Sequence, residues 1–378
     1  MNEDKSTRYH RLRRRADLLG TASAGVVLLG LLLTGGAHRL REVSAALTQW
    51  VPGGFDDGLN VAVMTVLVIL IEQAIEFPFH FYQGHLLEHH YGLSTQSTGQ
   101  WFTDQAKAIL VGMVVAIAGT AVMYAALRRF PEQWWWISAS VFAMAMVVLV
   151  RLAPIVLLPI FYKFKPLDRP SLVDRLMTMA TRARTDVVGV FEWVLSGHTR
   201  KANAALAGMG KTRRILLSDT LLADFSEDEI EVILAHELAH HVHRDLWRGI
   251  ALQAVVLAAG FFVADMVLRA VAGPLGLRGI SDPAGLPVLM LFGGVWSFLL
   301  APLANAASRA QERAAERYAL TTTRNVDAFV TAMKRLSQQN LAEEYPSPIV
   351  RWLFYSHPPI RERIDAARTF AHEERHAI

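Results

Sequence analysis

Cysteine does not occur in this chain of 378 residues. Disulfide frameworks and thiolate metal sites are therefore excluded, and any bound metal must be held by His, Asp or Glu. Charge is scarce as well: Asp, Glu, Lys and Arg make up 19% of the residues against 52% hydrophobic ones, and the mean hydropathy is +0.27. That is too apolar for a soluble protein of ordinary composition, and it implies several membrane spans. The net charge of +4 is mild. Basic residues cluster beside apolar runs, so they act as topology signals, and no nucleic-acid partner is expected. Internal repeats and low-complexity tracts are also absent.

Residues 1–17 are polar and carry Arg8, Arg11, Arg13, Arg14 and Arg15, ahead of an apolar run from about 18 to 36. No small-residue cleavage site ends that run, so it is expected to stay as an uncleaved first span with its N-terminus in the cytoplasm. Further runs of spanning length lie at about 59–79, 106–127, 135–160, 246–272 and 285–307, which makes six spans. Counting from an inside N-terminus, residues 80–105, 163–245 and 308–378 fall on the cytoplasmic side. Lys163, Lys165, Arg169, Arg175, Arg182 and Arg184 agree with that parity. Arg151 and Pro154 predict a kink or a tilt in the fourth run. Glu72, Glu76, Asp265 and Arg269 are costly in lipid and are expected to face protein or a watery cavity. Asp265 and Arg269 are also spaced for an i, i+4 ion pair.

Four parts follow: an N-terminal membrane domain over 1–162 with four spans, a soluble segment over 163–245, two further spans over 246–307, and a C-terminal helical part over 308–378. In the soluble segment, 187–195 and 214–217 read as short strands, with Ser196-Gly197-His198 and Gly208-Met209-Gly210-Lys211 as turns. The C-terminal part is expected to be helical with breaks at 345–348 and 357–359, where prolines occur.

The chemistry concentrates at His236-Glu237-Leu238-Ala239-His240. On a helix, positions i and i+4 share a face, so both histidines can offer a ring nitrogen to one zinc ion. Glu237, beside them, is placed to take a proton from a metal-bound water without itself being a ligand. Ser226-Glu227-Asp228-Glu229 has the form of a capping box, and Ile230, Ile233, Leu234 and Leu238 continue an apolar face at helical spacing. The motif therefore lies on a helix. A zinc hydrolase needs a third protein ligand. Glu312 is the best candidate because it follows the sixth span on the same side of the membrane, although a solvated face of a charged helix explains it too. Glu316, one turn on, is placed to hydrogen-bond a ligating histidine. A competing motif, His85-Leu86-Leu87-Glu88-His89, reads as an inverted zinc site but lacks a capping signal and a following carboxylate.

These residues resemble those of the type I CAAX prenyl proteases, integral-membrane zinc metalloproteases of the gluzincin type. The likeness runs from about residue 70 to 366. Pro78-Phe79 through His90-Tyr91-Gly92-Leu93-Ser94-Thr95-Gln96 resembles a family segment that does not bind zinc, which argues against the inverted motif. Leu158 to Leu167 is similar to A-P-L-F-x-K-F-x-P-L. Ser196-Gly197-His198 with Asn203-Ala204 resembles S-x-H-x-N-A, Ser308 to Glu316 resembles S-R-x-x-E-x-x-A-D, and Ser356-His357-Pro358-Pro359 to Glu362-Arg363 resembles S-H-P-P-x-x-E-R.

The resemblance implies a mostly α fold: a multi-pass transmembrane helical bundle or barrel enclosing a chamber, with a small gluzincin-like α+β protease domain on the cytoplasmic side. It implies one Zn2+ held by His236, His240 and Glu312, catalysis by Glu237 with His357 stabilising an oxyanion, a strand at Asn203 that offers backbone and amide groups to an extended substrate, and further substrate contacts at Ala204 and Arg363. Peptides or membrane-associated proteins are the expected substrates and membrane lipid the expected surroundings. A monomer in a bacterial cytoplasmic membrane is expected. Three features depart from the family: Glu316 stands where it has Asp, Ala205 where it has Tyr, and six spans where eukaryotic members have seven. Nothing in the sequence separates a CAAX processor from a quality-control protease of membrane proteins. A catalytically silent chamber holding a lipidated ligand has no need of Glu237, and a transporter predicts two related halves that are not found.

Overall fold

The computed structural model describes residues 4–50 and 56–376. Six helices are long and apolar enough to cross a membrane: Lys5–Leu33, Asp57–His90, Thr98–Arg129, Trp134–Phe161, Asp245–Ala272 and Pro283–Thr323. All six expected spans are present, each extended by polar turns that hydropathy alone does not count.

The first helix, α1 (Lys5–Leu33), begins thirteen residues before its apolar run, capped by the Asp4 side chain. Its basic turns make specific contacts with the soluble part. Arg14 pairs with Glu343 at 2.7 Å, and the His10 ring meets the Leu341 carbonyl at 2.9 Å. A short helix, α2 (Gly36–Thr48), is too brief to span and is tied down where buried Arg41 pairs with Asp282 at 2.6 Å. Helix α3 (Asp56–Phe81) continues through a π turn at Tyr82–Leu86 to His90. Helix α4 (Thr98–Arg129) starts at a Ser97–Gln100 capping box. Helix α5 (Trp134–Leu152) meets the predicted kink as a π turn at Ala153–Leu157. Pro154 lacks the N–H that would continue the ordinary ladder.

The soluble segment carries four strands, the two predicted runs, the strand that the resemblance implies beside Asn203, and one more: β1 (Lys163–Pro166), β2 (Val190–Val194), β3 (Ala204–Ala207) and β4 (Arg214–Ser218), in the order β1-β2-β4-β3. β2 and β4 are parallel, and the two outer pairs are antiparallel. Helices α6 (Pro170–Arg182), α7 (Asp219–Asp224) and α8 (Glu227–Val242) pack around this sheet. The Ser226 hydroxyl accepts the Glu229 N–H and the Glu229 carboxylate accepts the Ser226 N–H, so the predicted capping box opens α8. Its buried Ile230, Ile233, Leu234 and Leu238 join Leu172, Leu176, Leu217 and Phe329 in one core. Burying such side chains contributes roughly 1.5–3 kcal/mol each, which fixes the rotation of α8 and hence the face its histidines present.

Helix α9 (Asp245–Ala272) returns through the membrane. There Asp265 accepts Arg269 at 2.9 Å and the Trp134 ring N–H at 2.6 Å, so this pair is an ion pair at the end of the span. Helix α10 (Leu286–Thr323) runs unbroken for 38 residues from the sixth span into the soluble part. Helices α11 (Val326–Gln339), α12 (Pro348–Phe354) and α13 (Ile360–His376) complete the chain, separated at the predicted proline breaks.

Candidate metal centre and active site

Two helices form the centre. α8 presents His236 and His240 one turn apart, and α10 brings in Glu312, which is buried. The two Nε2 atoms stand 3.3 Å apart. Glu312 places one carboxylate oxygen 3.2 Å from His236 Nε2 and the other 3.5 Å from His240 Nε2. Glu312 Oε2 is buried and has no hydrogen-bond partner among the described residues. Among those residues, this is the one group of three such side chains whose ligand atoms converge.

These lengths have a simple meaning. A zinc ion with ligand atoms at about 2.0–2.1 Å in tetrahedral array sets neighbouring ligand atoms about 3.3–3.4 Å apart. The 3.3 Å between the two histidine nitrogens matches that spacing, each of them has a Glu312 oxygen at 3.2 or 3.5 Å, and two imidazoles with one carboxylate are a donor set that zinc accepts in hydrolases. The residues fit the ion.

Protonation is compatible as well. Burial pushes the His236 imidazole down to about 4, which keeps it neutral and able to offer a lone pair at neutral pH. Buried Asp245, in the first turn of α9, lies 3.0 Å from His240 Nδ1. An N–H at Nδ1 donating to this carboxylate leaves the Nε2 lone pair directed at the centre. Burial also pushes the Glu237 carboxyl up to about 7; the His240 ring opposes that shift and Glu312 adds to it. A carboxyl with that affinity exchanges protons readily near neutrality.

The segment between α12 and α13 closes the site from the other side. His357 Nε2 stands 3.2 Å from Glu312 Oε1, and Ser356 Oγ lies 2.9 Å from His357 Nδ1. A hydroxyl donating to Nδ1 places the ring proton on Nε2, the nitrogen that faces the centre. Arg309, buried on α10, donates to the Tyr355 carbonyl, and the Tyr355 hydroxyl donates to Glu343. Arg363 is buried and pairs with Glu316.

Two expectations change here. Glu316 was expected to bond a ligating histidine. Its carboxylate instead turns to Arg363, because a buried charge seeks an opposite one, and His236 Nδ1 is left without a partner among the described residues. The histidine-orienting carboxylate is Asp245, which the sequence reading missed; its signal is an acidic residue in the first turn after the histidine helix, five positions beyond His240. Asn203 was expected to offer its backbone to substrate. Its N–H and C=O are both spent on Ser218, at 2.9 Å each. By antiparallel alternation the backbone groups of Ala204 and Leu206 point off the open edge of β3, while the Asn203 side chain is exposed. The inverted motif is not assembled: His85 bonds Thr98, His89 bonds the His85 carbonyl, and Glu88 pairs with Lys201.

Known proteins match both halves of the chain. Residues 2–163 match the CAAX prenyl protease N-terminal family, described as five membrane helices; the described residues of this stretch hold four candidate spans. Residues 166–371 match peptidase family M48. A Bacillus subtilis protein named uncharacterized metalloprotease YhfN is 30% identical over 333 residues, covering 86% of this chain and 77% of that protein. The Saccharomyces cerevisiae CAAX prenyl protease 1 is 25% identical over 79% of this chain and 70% of its own length. The crystal structure of S. mikatae Ste24p superposes with a TM-score of 0.83 at 19% identity, over 96% of this chain and 88% of that one. The fold is thus that of Ste24p, and the chain is a multi-pass integral-membrane metalloprotease belonging to peptidase family M48.

Proposed function

We propose that this protein is a zinc metalloendopeptidase in which His236, His240 and Glu312 hold one Zn2+. The observation that carries this reading is the convergence of two histidine Nε2 atoms 3.3 Å apart on the Glu312 carboxylate, which has one oxygen 3.2 Å from His236 and the other 3.5 Å from His240. The ion, when bound, supplies Lewis-acid polarisation of a water molecule and of the scissile carbonyl. Glu237 takes the water proton on its carboxylate and delivers it to the leaving amine. His357, with its proton on Nε2, donates to the oxygen on which charge develops. Ala204 and Leu206 offer their free backbone groups to an extended substrate, which adds antiparallel to the edge of β3. Asn203 contributes its side chain at the start of that edge. Arg363 acts through Glu316 on the placement of α13.

Peptides and membrane-associated proteins are the substrates in this reading. Relatives named CAAX prenyl proteases make a prenylated C-terminal peptide the first one to try. The arginines of α1 and the basic residues of 163–184 support a cytoplasmic active site, and the B. subtilis relative supports a bacterial membrane. A monomer suffices, since the described chain supplies all three ligands and the base.

The test pairs zinc analysis with peptide cleavage on purified wild type and Glu237→Gln. One zinc per chain in both, with cleavage about 10²–10⁴-fold slower in the variant, is expected, the usual contribution of a general base. A wild type that binds no zinc, purified without chelators, would sink the assignment.

A further inference from the structure

We propose that Arg14 and Glu343 are positioning residues for His357, so that the polar first turns of α1 hold the segment that carries the oxyanion donor. This inference rests on the role given to His357 above and extends it to residues that the metal centre does not touch.

Glu343 is 4% exposed and lies outside the metal site, and a buried carboxylate there needs partners. It has two. The Arg14 guanidinium donates to its Oε2 at 2.7 Å, and the Tyr355 hydroxyl donates to the same oxygen. Arg14 also donates to the Tyr355 hydroxyl at 3.4 Å, which closes a triangle of three side chains. Burial, and then Glu343, push the Tyr355 hydroxyl up from its ordinary value, so it keeps its proton and remains a donor. Tyr355 stands two residues before His357. Its carbonyl is taken by Arg309 of α10 and its hydroxyl by Glu343, so backbone and side chain are held from different elements. Ser356 lies between, and its hydroxyl reaches His357 Nδ1 at 2.9 Å.

The turn that carries Glu343 is itself braced. One helical turn before Arg14, the His10 ring meets the Leu341 carbonyl at 2.9 Å, and the Leu341 side chain packs against the buried cluster of Tyr9 and Tyr91. Leu341 has a φ of 52°, a left-handed conformation that a leucine keeps only where its surroundings impose it. From the other side, the Asn340 side chain bonds both backbone groups of Ala202, at 3.0 and 3.2 Å. Ala202 leads into β3, the strand whose edge faces substrate in the proposed function. Glu343 therefore stands on a turn fixed to α1 and to the approach of β3 at once, and Tyr355 refers the His357 segment to that turn.

Two variants test this. Tyr355→Phe removes only the hydroxyl, and Arg14→Met combined with Glu343→Leu removes the ion pair as a unit, leaving no buried charge behind. Deuterium exchange at the amides of 353–357 is expected to be severalfold faster in both, with exchange over 227–242 and the zinc content unchanged. Exchange at 353–357 equal to wild type overturns the proposal. Loss of zinc, or equal acceleration over 227–242, also overturns it, since the variants would then loosen the whole domain. Cleavage of fluorescein-labelled casein gives the second readout. Each variant is expected to lower kcat about tenfold with KM within about twofold of wild type, as misplacement of a reacting group does. His357→Gln is expected to lower kcat about 10²–10³-fold, the usual contribution of an oxyanion donor. Added to His357→Gln, Tyr355→Phe is expected to cost no more than about a further twofold, because residues that act through one another are not additive. A full tenfold further loss overturns the proposal. A wild-type kcat in His357→Gln would refute the role of His357 itself, and this inference with it.

Discussion

Replacing Asp245 separates the two carboxylates that compete for the role of orienting a zinc-binding histidine. In the structure Asp245 Oδ2 lies 3.0 Å from His240 Nδ1, in a buried position. A hydrogen bond to a charged group contributes about 1.5–3 kcal/mol, and partners that orient a metal ligand typically account for 10–100-fold in metal affinity. On that scale Asp245→Asn, which keeps an acceptor and loses the charge, is expected to weaken zinc binding about tenfold. Asp245→Ala, which loses both, is expected to weaken it about a hundredfold, or about 2.7 kcal/mol. The assay is equilibrium competition against a chromophoric chelator in detergent, with near-ultraviolet dichroism of the nine tryptophans reporting the fold. Arg248→Gln is the control, because Arg248 is exposed and stands 3.5 Å from Asp245. Affinities within a factor of two of wild type for both Asp245 variants, with Glu316→Gln weakened instead, would refute the assignment.

Further predictions concern stability and pH. Arg363→Ala leaves the Glu316 charge buried without its partner and is expected to cost about 3–5 kcal/mol in denaturant unfolding, whereas Arg363→Met combined with Glu316→Leu costs far less. Partial burial would raise the Asp219 carboxyl, but the Ser196 hydroxyl and the N–H groups of Leu195, Ser196 and Thr220 donate to it and hold it below its ordinary value. A depressed folded value stabilises above the unfolded pKa of about 3.9 and is lost as pH falls through the folded value. Asp219→Asn is therefore expected to be less stable than wild type by about 1–2 kcal/mol above pH ~5, with the difference closing below pH ~4. Gly260→Ala would place a Cβ 2.8 Å from the Trp296 ring nitrogen, which donates to the Val256 carbonyl at 3.2 Å. That overpacking is expected to cost about 1–3 kcal/mol, whereas Gly249→Ala on the same helix meets open space and is expected to be neutral or stabilising.

Much of the metal centre is local, and local features are legible in a sequence. His236, Glu237 and His240 lie within five residues, and the Ser226–Glu229 box that starts their helix lies within four. The six spans are equally legible, because each needs some twenty apolar residues in a row. What escaped depends on neighbours distant in the chain. β3 is Ala204-Ala205-Leu206-Ala207, with no β-branched residue, so only the resemblance and not its own composition announced the strand that β4 pairs with. β1 ends in Pro166 and is held at the other edge by β2. The arginines before the first span read as a topology signal, yet Arg14 also has a specific partner 329 residues away in Glu343.

The same distinction explains why Glu316 was assigned the wrong partner. Spacing from Glu312 says that both face roughly one side of α10, and nothing local says what lies opposite. Arg309, Glu312 and Glu316 form one stripe, three and four residues apart. Arg309 holds the carbonyl of Tyr355, two residues before His357, and Glu316 holds Arg363, six residues after it. The ligand and both anchors of the His357 segment thus sit on one continuous helix whose other end is the sixth span. A helix bends little over two turns, so the distance from Glu312 to His357 is set by α10 itself rather than by the loop that carries the histidine.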